Sequence, residues 1–379
     1  MKKNLLKLGA VGMIALSLFS CKKDYSPKEC SEDTEPLVKV FATGLNNPRG
    51  LKFGPDGNLY VAEGGVGGTN STVGQCTQVP PPVGPFRGSP TGGRISKINS
   101  AGTRTTVANE LPSAVNGLGD VVGVADVAFI GNNLYALITG GGCSHGVPSF
   151  PNSIVRINPS GPLVPVANLS AWYAANPVKN PEPGDFEPDG DWYSMINVSN
   201  NFYAVEANGG QLVRVTPGGA ITRVVDISAA LGHIVPTSVV HYKGNFIVGN
   251  LNPFPIVPGS SSLYKITPAG EISVFATGFT TILGLAVDKQ DRLYVLENTV
   301  GPPFPTPGMG RIVRLDHWGN KEVVVTGLSL PTGLTIGKDG KLYVSNIGFG
   351  PEAIGGGQVL QIDLCPCNRD DRKGEVKGW

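Results

Sequence analysis

Gly50-Leu51-Lys52-Phe53-Gly54-Pro55-Asp56-Gly57-Asn58-Leu59-Tyr60-Val61-Ala62-Glu63 reads as two short strands joined by a tight turn. Pro55 presets the first inner turn position, and Gly57 closes the turn where a side chain would be strained. The same phrase returns as Gly284-Leu285-Ala286-Val287 through Leu293-Tyr294-Val295-Leu296-Glu297, and again as Gly333-Leu334-Thr335-Ile336 through Leu342-Tyr343-Val344-Ser345-Asn346. Weaker copies centre on Leu134-Tyr135, Phe202-Tyr203 and Phe246-Ile247, which makes six. Each copy is followed by a second hairpin, such as Arg94-Ile95-Ser96-Lys97-Ile98 or Arg311-Ile312-Val313-Arg314-Leu315, with apolar and polar residues alternating as in half-buried strands. Four strands per repeat, at intervals of roughly 40–50 residues plus insertions, predict an all-β, six-bladed β-propeller.

The sixth repeat is short of one strand. Gln358-Val359-Leu360-Gln361-Ile362-Asp363 supplies its third, and nothing strand-like follows. The fourth is expected from the other end of the chain, because Leu37-Val38-Lys39-Val40-Phe41-Ala42-Thr43-Gly44 matches the fourth-strand phrase Glu271-Ile272-Ser273-Val274-Phe275-Ala276-Thr277-Gly278. Closing the ring in this way covers sheet edges that would otherwise template aggregation. The expected organisation is a signal peptide over 1–20, a tether over 21–36, the propeller over 37–364 and a tail over 365–379.

Gly 53 and Pro 32 are abundant, in keeping with many turns, and Lys+Arg 30 against Asp+Glu 29 leaves no basic field to attract nucleic acid. Lys2, Lys3 and Lys7 precede an apolar run over residues 8–19 that is too short to span a bilayer, and the run ends Leu18-Phe19-Ser20-Cys21. This resembles a bacterial lipobox. The resemblance implies export, acylation of Cys21 and a lipid anchor in the cell envelope, on the periplasmic or surface face of the outer membrane. Export permits disulfides. Cys76 and Cys143 fall in loops of neighbouring repeats and form a plausible pair. Cys30 is placed to pair with Cys365 or Cys367, with redox or metal chemistry at Cys365-Pro366-Cys367 the weaker alternative.

Gly44-Leu45-Asn46-Asn47-Pro48-Arg49-Gly50-Leu51, with its Gly-Pro-Asp-Gly turn and Leu-Tyr-Val-Ala-Glu strand, resembles NHL-type propellers. Together with Ser89-Pro90-Thr91-Gly92-Gly93-Arg94-Ile95 it is more narrowly similar to the ScyD/ScyE family, over about residues 37–364. That family has no assigned reaction, so the resemblance implies fold far more than function.

Strand alternation puts the second-to-third-strand loops and the blade-to-blade links on one end. All the insertions fall there: 64–93, 140–152, 172–191, 251–261, 298–310 and 347–357. Insertions gathered on one face of a repeat protein mark a binding face for a small molecule, glycan or envelope protein. The residues closing the second strands, Glu63, Ile138, Glu206, Asn250, Glu297 and Asn346, are expected to ring the channel mouth, joined by Asp126. Converging carboxylate and amide oxygens suit Ca²⁺. Resemblance to lactonase-type propellers implies a metal-assisted ester or lactone hydrolase as the alternative activity. The competing role for these oxygens is to hydrogen-bond their own loop and neighbouring blade.

Arg49 is a candidate for an anionic ligand or for an ion pair with that ring. Trp172, Tyr173, Trp192 and Tyr193 either stack on a ligand or anchor the insertion beside them. Glu182, Asp185, Glu187, Asp189 and Asp191 read as a solvated acidic loop without the order of an EF-hand. His145 reads as part of an exposed, flexible loop, and His233, His241 and His317 show no metal-ligand spacing.

Overall fold

Second strands such as Leu293–Glu297 are apolar without alternation, and all five of its residues are buried. Such a strand must be covered on both faces, which six sheets stacked side by side about one axis provide. The computed structural model, which describes residues 35–365 except 159, 160, 317 and 351, has this architecture. Blade 1 comprises Pro48–Phe53, Leu59–Glu63, Arg87–Ile98 and Arg104–Val115, extended by a fifth short strand, Val121–Val122. Blades 2 to 5 are four-stranded meanders opening at Val124–Ile130, Trp192–Val198, Pro236–Tyr242 and Ile282–Val287. The inner strand of each blade packs on those of the blades before and after, and the sixth, Gly333–Ile336, packs on the first.

The ring closes as the repeat predicts. Leu37–Asn46 pairs antiparallel with Gly357–Asp363, with Val40 opposite Leu360 and Leu37 opposite Asp363. Side chains pin the joint: Thr332 Oγ1 donates to the Pro48 carbonyl at 2.5 Å and Ser345 Oγ to the Arg49 carbonyl at 2.6 Å.

The hydrophobic core is divided among the blade interfaces. Leu51, Leu59 and Val61 of blade 1 pack with Leu45, Tyr343 and Val359 of blade 6. Ala62, Ile95 and Leu111 of blade 1 pack with Val127, Ala136 and Val155 of blade 2 on its other side. Corresponding clusters fill each remaining interface. At about 25 cal/mol per Å² of apolar surface removed from water, these contacts supply the main drive for folding. The outermost strands carry the exposed edge, as in Ile272–Phe279, where Val274 is 60% exposed.

The insertions of blades 1 and 2 form one wall on the loop-rich end. Cys76 and Cys143 are disulfide-bonded, with a Cα–Cα separation of 6.4 Å. Asn70 pairs with Gly88 and donates from Nδ2 to the Gly146 carbonyl at 2.6 Å, and Thr72 Oγ1 donates to the Cys143 carbonyl at 2.5 Å. Val79, Phe86 and Ala114 give this wall a small core of its own. Cys21, Cys30, Cys367 and His317, with the expected signal peptide and lipid anchor, lie outside the described residues, and so does the partner expected for Cys365.

Candidate functional site

Inner strands enter from the loop-rich end, and their first residues surround a cavity on the propeller axis. Five of the six begin with a break in register against the second strand, between Pro48 and Leu51, Val124 and Asp126, Trp192 and Ser194, Pro236 and Ser238, and Ile282 and Gly284. A bulge turns side chains that regular pairing would bury between sheets. Here Arg49, Ala125, Tyr193 and Leu283 occupy these breaks and line the cavity.

Blades 1 to 4 furnish the polar side of the cavity: Arg49, Lys52, Asp120, Asp126, Thr139, Asp191, Tyr193, Ser194 and Ser238. Blades 5 and 6 furnish Leu283, Leu285 and Leu334, with Thr332, whose hydroxyl is already given to the Pro48 carbonyl. The cavity is about 70 Å³ in volume, room for a few ordered waters.

The charges in the cavity are mostly matched. Arg49 Nη2 meets Asp120 Oδ1 at 2.7 Å and also donates to the Val121 carbonyl at 2.7 Å. Its partner is therefore Asp120 on the blade 1 to blade 2 connection, not the glutamate ring. Asp126 lies 3.5 Å from Lys52 Nζ and accepts the backbone N–H groups of Met195 and Val127, each at 2.9 Å, so it ties blades 1, 2 and 3 together. Burial raises its pKa, against the pull of Lys52 and those two N–H groups. A Cβ on residue 50 would fall 2.0 Å from Asp126 Oδ1, so this approach requires Gly50.

Asp191 accepts from Thr139 Oγ1 at 3.2 Å. Burial, followed by the nearby carboxylates of Glu187 and Glu206, holds its carboxyl well above the usual range. Glu206 accepts the N–H groups of Asp191, Asn208 and Gly209, and burial pushes it up to about 7. Burial likewise raises Tyr193, although Arg49 pulls the other way.

From Glu187 onward the acidic segment is a packed part of the fold and not the solvated loop its composition suggests, while Glu182 is exposed. Asp189 accepts from both the N–H and the hydroxyl of Ser144, at 2.9 and 2.6 Å, and Glu187 is buried. His145 is also corrected: it is 1% exposed, 3.3 Å from Glu187 Oε2, with its ring edge-on to Phe86 at 4.6 Å. The disulfide wall and the acidic segment close over it from two sides. Its pKa is raised, the loss of solvent being outweighed by Glu187. His233 pairs with Asp185 at 2.8 Å.

Of the six residues grouped as cation ligands, only Asp126 lines the cavity. Glu63 is fully buried against Arg94 of the adjacent strand, with Nε at 2.9 Å, and also accepts from Ser96 Oγ and from the Asn46 N–H. Glu297 repeats this arrangement with Arg311 and the Thr280 N–H. Asn346 accepts the Ser329 N–H, and Asn250 donates to the Ile234 carbonyl and accepts the Ser262 N–H. Glu206, Glu63, Glu297 and Asn346 each take an N–H from the link that leads into the inner strand of their own blade. Among the described residues, no group of three or more His, Cys, Asp or Glu is placed to hold a metal ion. The structure therefore engages five of the six at the blade junctions and brings only Asp126 to the cavity.

The aromatic residues of this face divide. Trp192 is fully buried with Tyr173 packed edge-on to it, and Trp172 lies under the Arg223 guanidinium, so these three anchor the insertion. Tyr193 reaches the cavity as a bulge residue, with Trp192 bordering it. Asp120, Thr139, Ser194 and Ser238 were not singled out from sequence. The available signal was position: aligning the inner strands puts Asp126, Ser194 and Ser238 in register with Gly50, Gly284 and Gly333.

No protein-family model matches this chain, and no curated protein is similar to it at a significant level. Solved structures do resemble it. A structural genomics protein of unknown function from Bacteroides thetaiotaomicron VPI-5482 is 12% identical over 86% of this chain and 76% of its own, with a TM-score of 0.56. A putative oxidoreductase (glucose dehydrogenase) from Thermus thermophilus is 18% identical over 86% and 100%, with a TM-score of 0.54. A gluconolactonase from Xanthomonas campestris is 10% identical over 86% and 90%, with a TM-score of 0.52. What these proteins share is the fold. The chain is a six-bladed β-propeller, as these are.

Proposed function

We propose that this protein is a lipid-anchored propeller of the cell envelope, of the ScyD/ScyE type, that binds a small molecule in its axial cavity through the loop-rich end. The observation carrying the binding reading is a pair of hydroxyls. Ser194 Oγ and Ser238 Oγ line the cavity, are buried, and have no hydrogen-bond partner among the described residues. An unmet buried hydroxyl costs about 1–3 kcal/mol, which a polar ligand or ordered water in the cavity offsets. The envelope address rests on the lipobox at Cys21.

Two measurements test this. Cys21→Ala should move the protein from the membrane to the soluble fraction, and unchanged membrane association refutes the anchor. Filling the cavity with Ser238→Leu should abolish ligand-induced thermal shifts across a small-molecule panel. Shifts that persist in this variant place binding elsewhere.

A second reading, hydrolysis of a lactone or ester, is favoured by one feature. Asp191 lines the cavity beside Tyr193, and burial raises its pKa, the direction that a proton donor to a leaving oxygen needs. Turnover of sugar lactones or aryl esters that is lost in Asp191→Asn supports this reading, and equal turnover in the variant excludes it.

A further inference from the structure

Resting on the binding reading above, we propose that the axial cavity selects an uncharged ligand, hydroxylated along one edge and apolar along the other. The argument is one of charge matching. The two cations facing the cavity are each already neutralised, Arg49 by Asp120 at 2.7 Å and Lys52 by Asp126 at 3.5 Å. Arg49 is committed further by its hydrogen bond to the Val121 carbonyl. An anionic ligand would have to take Arg49 from Asp120 and leave that carboxylate without its partner, a costly outcome in a site screened from water.

A cationic ligand fares no better. Asp120 and Asp126 are paired, and the remaining acid, Asp191, accepts from Thr139 Oγ1 at 3.2 Å and lies near the carboxyls of Glu187 and Glu206, in surroundings whose burial disfavours a charge. Ser194 and Ser238 hold equivalent places just after the bulges of adjacent inner strands, and each hydroxyl can donate one hydrogen bond and accept others. Leu283, Leu285 and Leu334 offer nothing to a charge, and they favour an apolar face on the same molecule.

The test compares three versions of one ring, a neutral hexose, the corresponding hexuronate and the corresponding hexosamine. Binding to the purified full-length protein is measured by calorimetry at pH 7. The neutral compound should bind at least tenfold more tightly than either charged one, and Ser194→Ala/Ser238→Ala should weaken it about tenfold. Equal or tighter binding of a charged compound overturns the selectivity while leaving the binding site in place. Failure of all three to bind at millimolar concentration overturns both. Asp120→Asn keeps the oxygen that accepts from Val121 but releases Arg49 from its counter-charge. This variant should gain at least tenfold in hexuronate affinity, and an unchanged preference overturns the charge-matching argument.

Discussion

The buried acids predict that this propeller loses stability as pH rises through neutrality. Glu206 has an ordinary value of 4.5 and a folded value of about 7. Below pH 4.5 both folded and unfolded chains carry the proton, so there is no difference between them. Between those two values the native state keeps a proton that the unfolded chain has lost, and stability falls with each step in pH. The span of 7 minus 4.5, at 1.36 kcal/mol per unit, makes the loss about 3 kcal/mol for a side chain with no exposure. Asp191, raised in the same sense, adds to it. His145 has the same sign by a different route: its raised folded value contributes stability below 6.5 that disappears as pH climbs through that folded value. Asp56 and Asp316, both lowered, finish titrating below this window and contribute a constant. With an unfolding entropy near 2.1 cal/mol/K per residue over the 331 positions from 35 to 365, 3 kcal/mol corresponds to roughly 4–5 °C in Tm. Thermal melts at pH 5 and pH 8 in buffers of equal ionic strength measure it. Glu206→Gln, which mimics the protonated acid, should remove that part of the slope. A wild-type Tm that is flat or rising over this interval, or a Gln variant with the full slope, refutes the reasoning.

Other perturbations address the frame. Glu63→Gln leaves Arg94 without its buried carboxylate and should cost about 3–5 kcal/mol, read by chemical denaturation, with partial recovery in Glu63→Gln/Arg94→Gln. Cys76→Ser opens a disulfide whose ends are 67 residues apart. Loop entropy puts its loss at about 4 kcal/mol, so the variant and Cys76→Ser/Cys143→Ser should melt at matching, lowered temperatures. Deleting residues 37–44 strips the outer strand from blade 6 and should abolish a single cooperative unfolding transition, while an unchanged melt contradicts strand closure.

The fold was legible because each blade announces itself locally. Leu-Tyr-Val recurs in three blades, after a Gly turn in two of them, and the closing strand copies the fourth strand of blade 4 closely enough to bring Val40 alongside Leu360 from sequence. The cavity was not legible in this way. Each inner strand contributes one to three side chains, in five blades beside a bulge, and a bulge is a property of pairing between two strands rather than of the composition of one. The acidic segment misled for a related reason. Five acids among prolines and glycines look solvated until the blade 2 insertion, held by its disulfide, brings Ser144 and His145 down upon them. Tyr173 and Trp192 carried no sign of which way they point, because an aromatic residue beside a loop serves equally as anchor or platform.

The oxygen series at the ends of the second strands was visible, and its purpose could have been read one strand further on. Glu63 is directly opposite Arg94, and Glu297 directly opposite Arg311. Where a glutamate ends the second strand in these two blades, an arginine opens the third. Blade 3 has Gln211 opposite Glu206, and there the carboxylate turns to three backbone N–H groups instead. Asn250 is the informative exception. Its link presents a carbonyl, that of Ile234, and only an amide can donate to it while accepting from Ser262. Each residue type thus follows the polarity of the backbone group it must satisfy at a blade junction, where an unmet donor or acceptor would be buried. With the junctions satisfied by these side chains, the inner-strand bulges are free to vary, so the lining of the axis can change from polar on blades 1 to 4 to leucine on blades 5 and 6 without disturbing the ring that holds it.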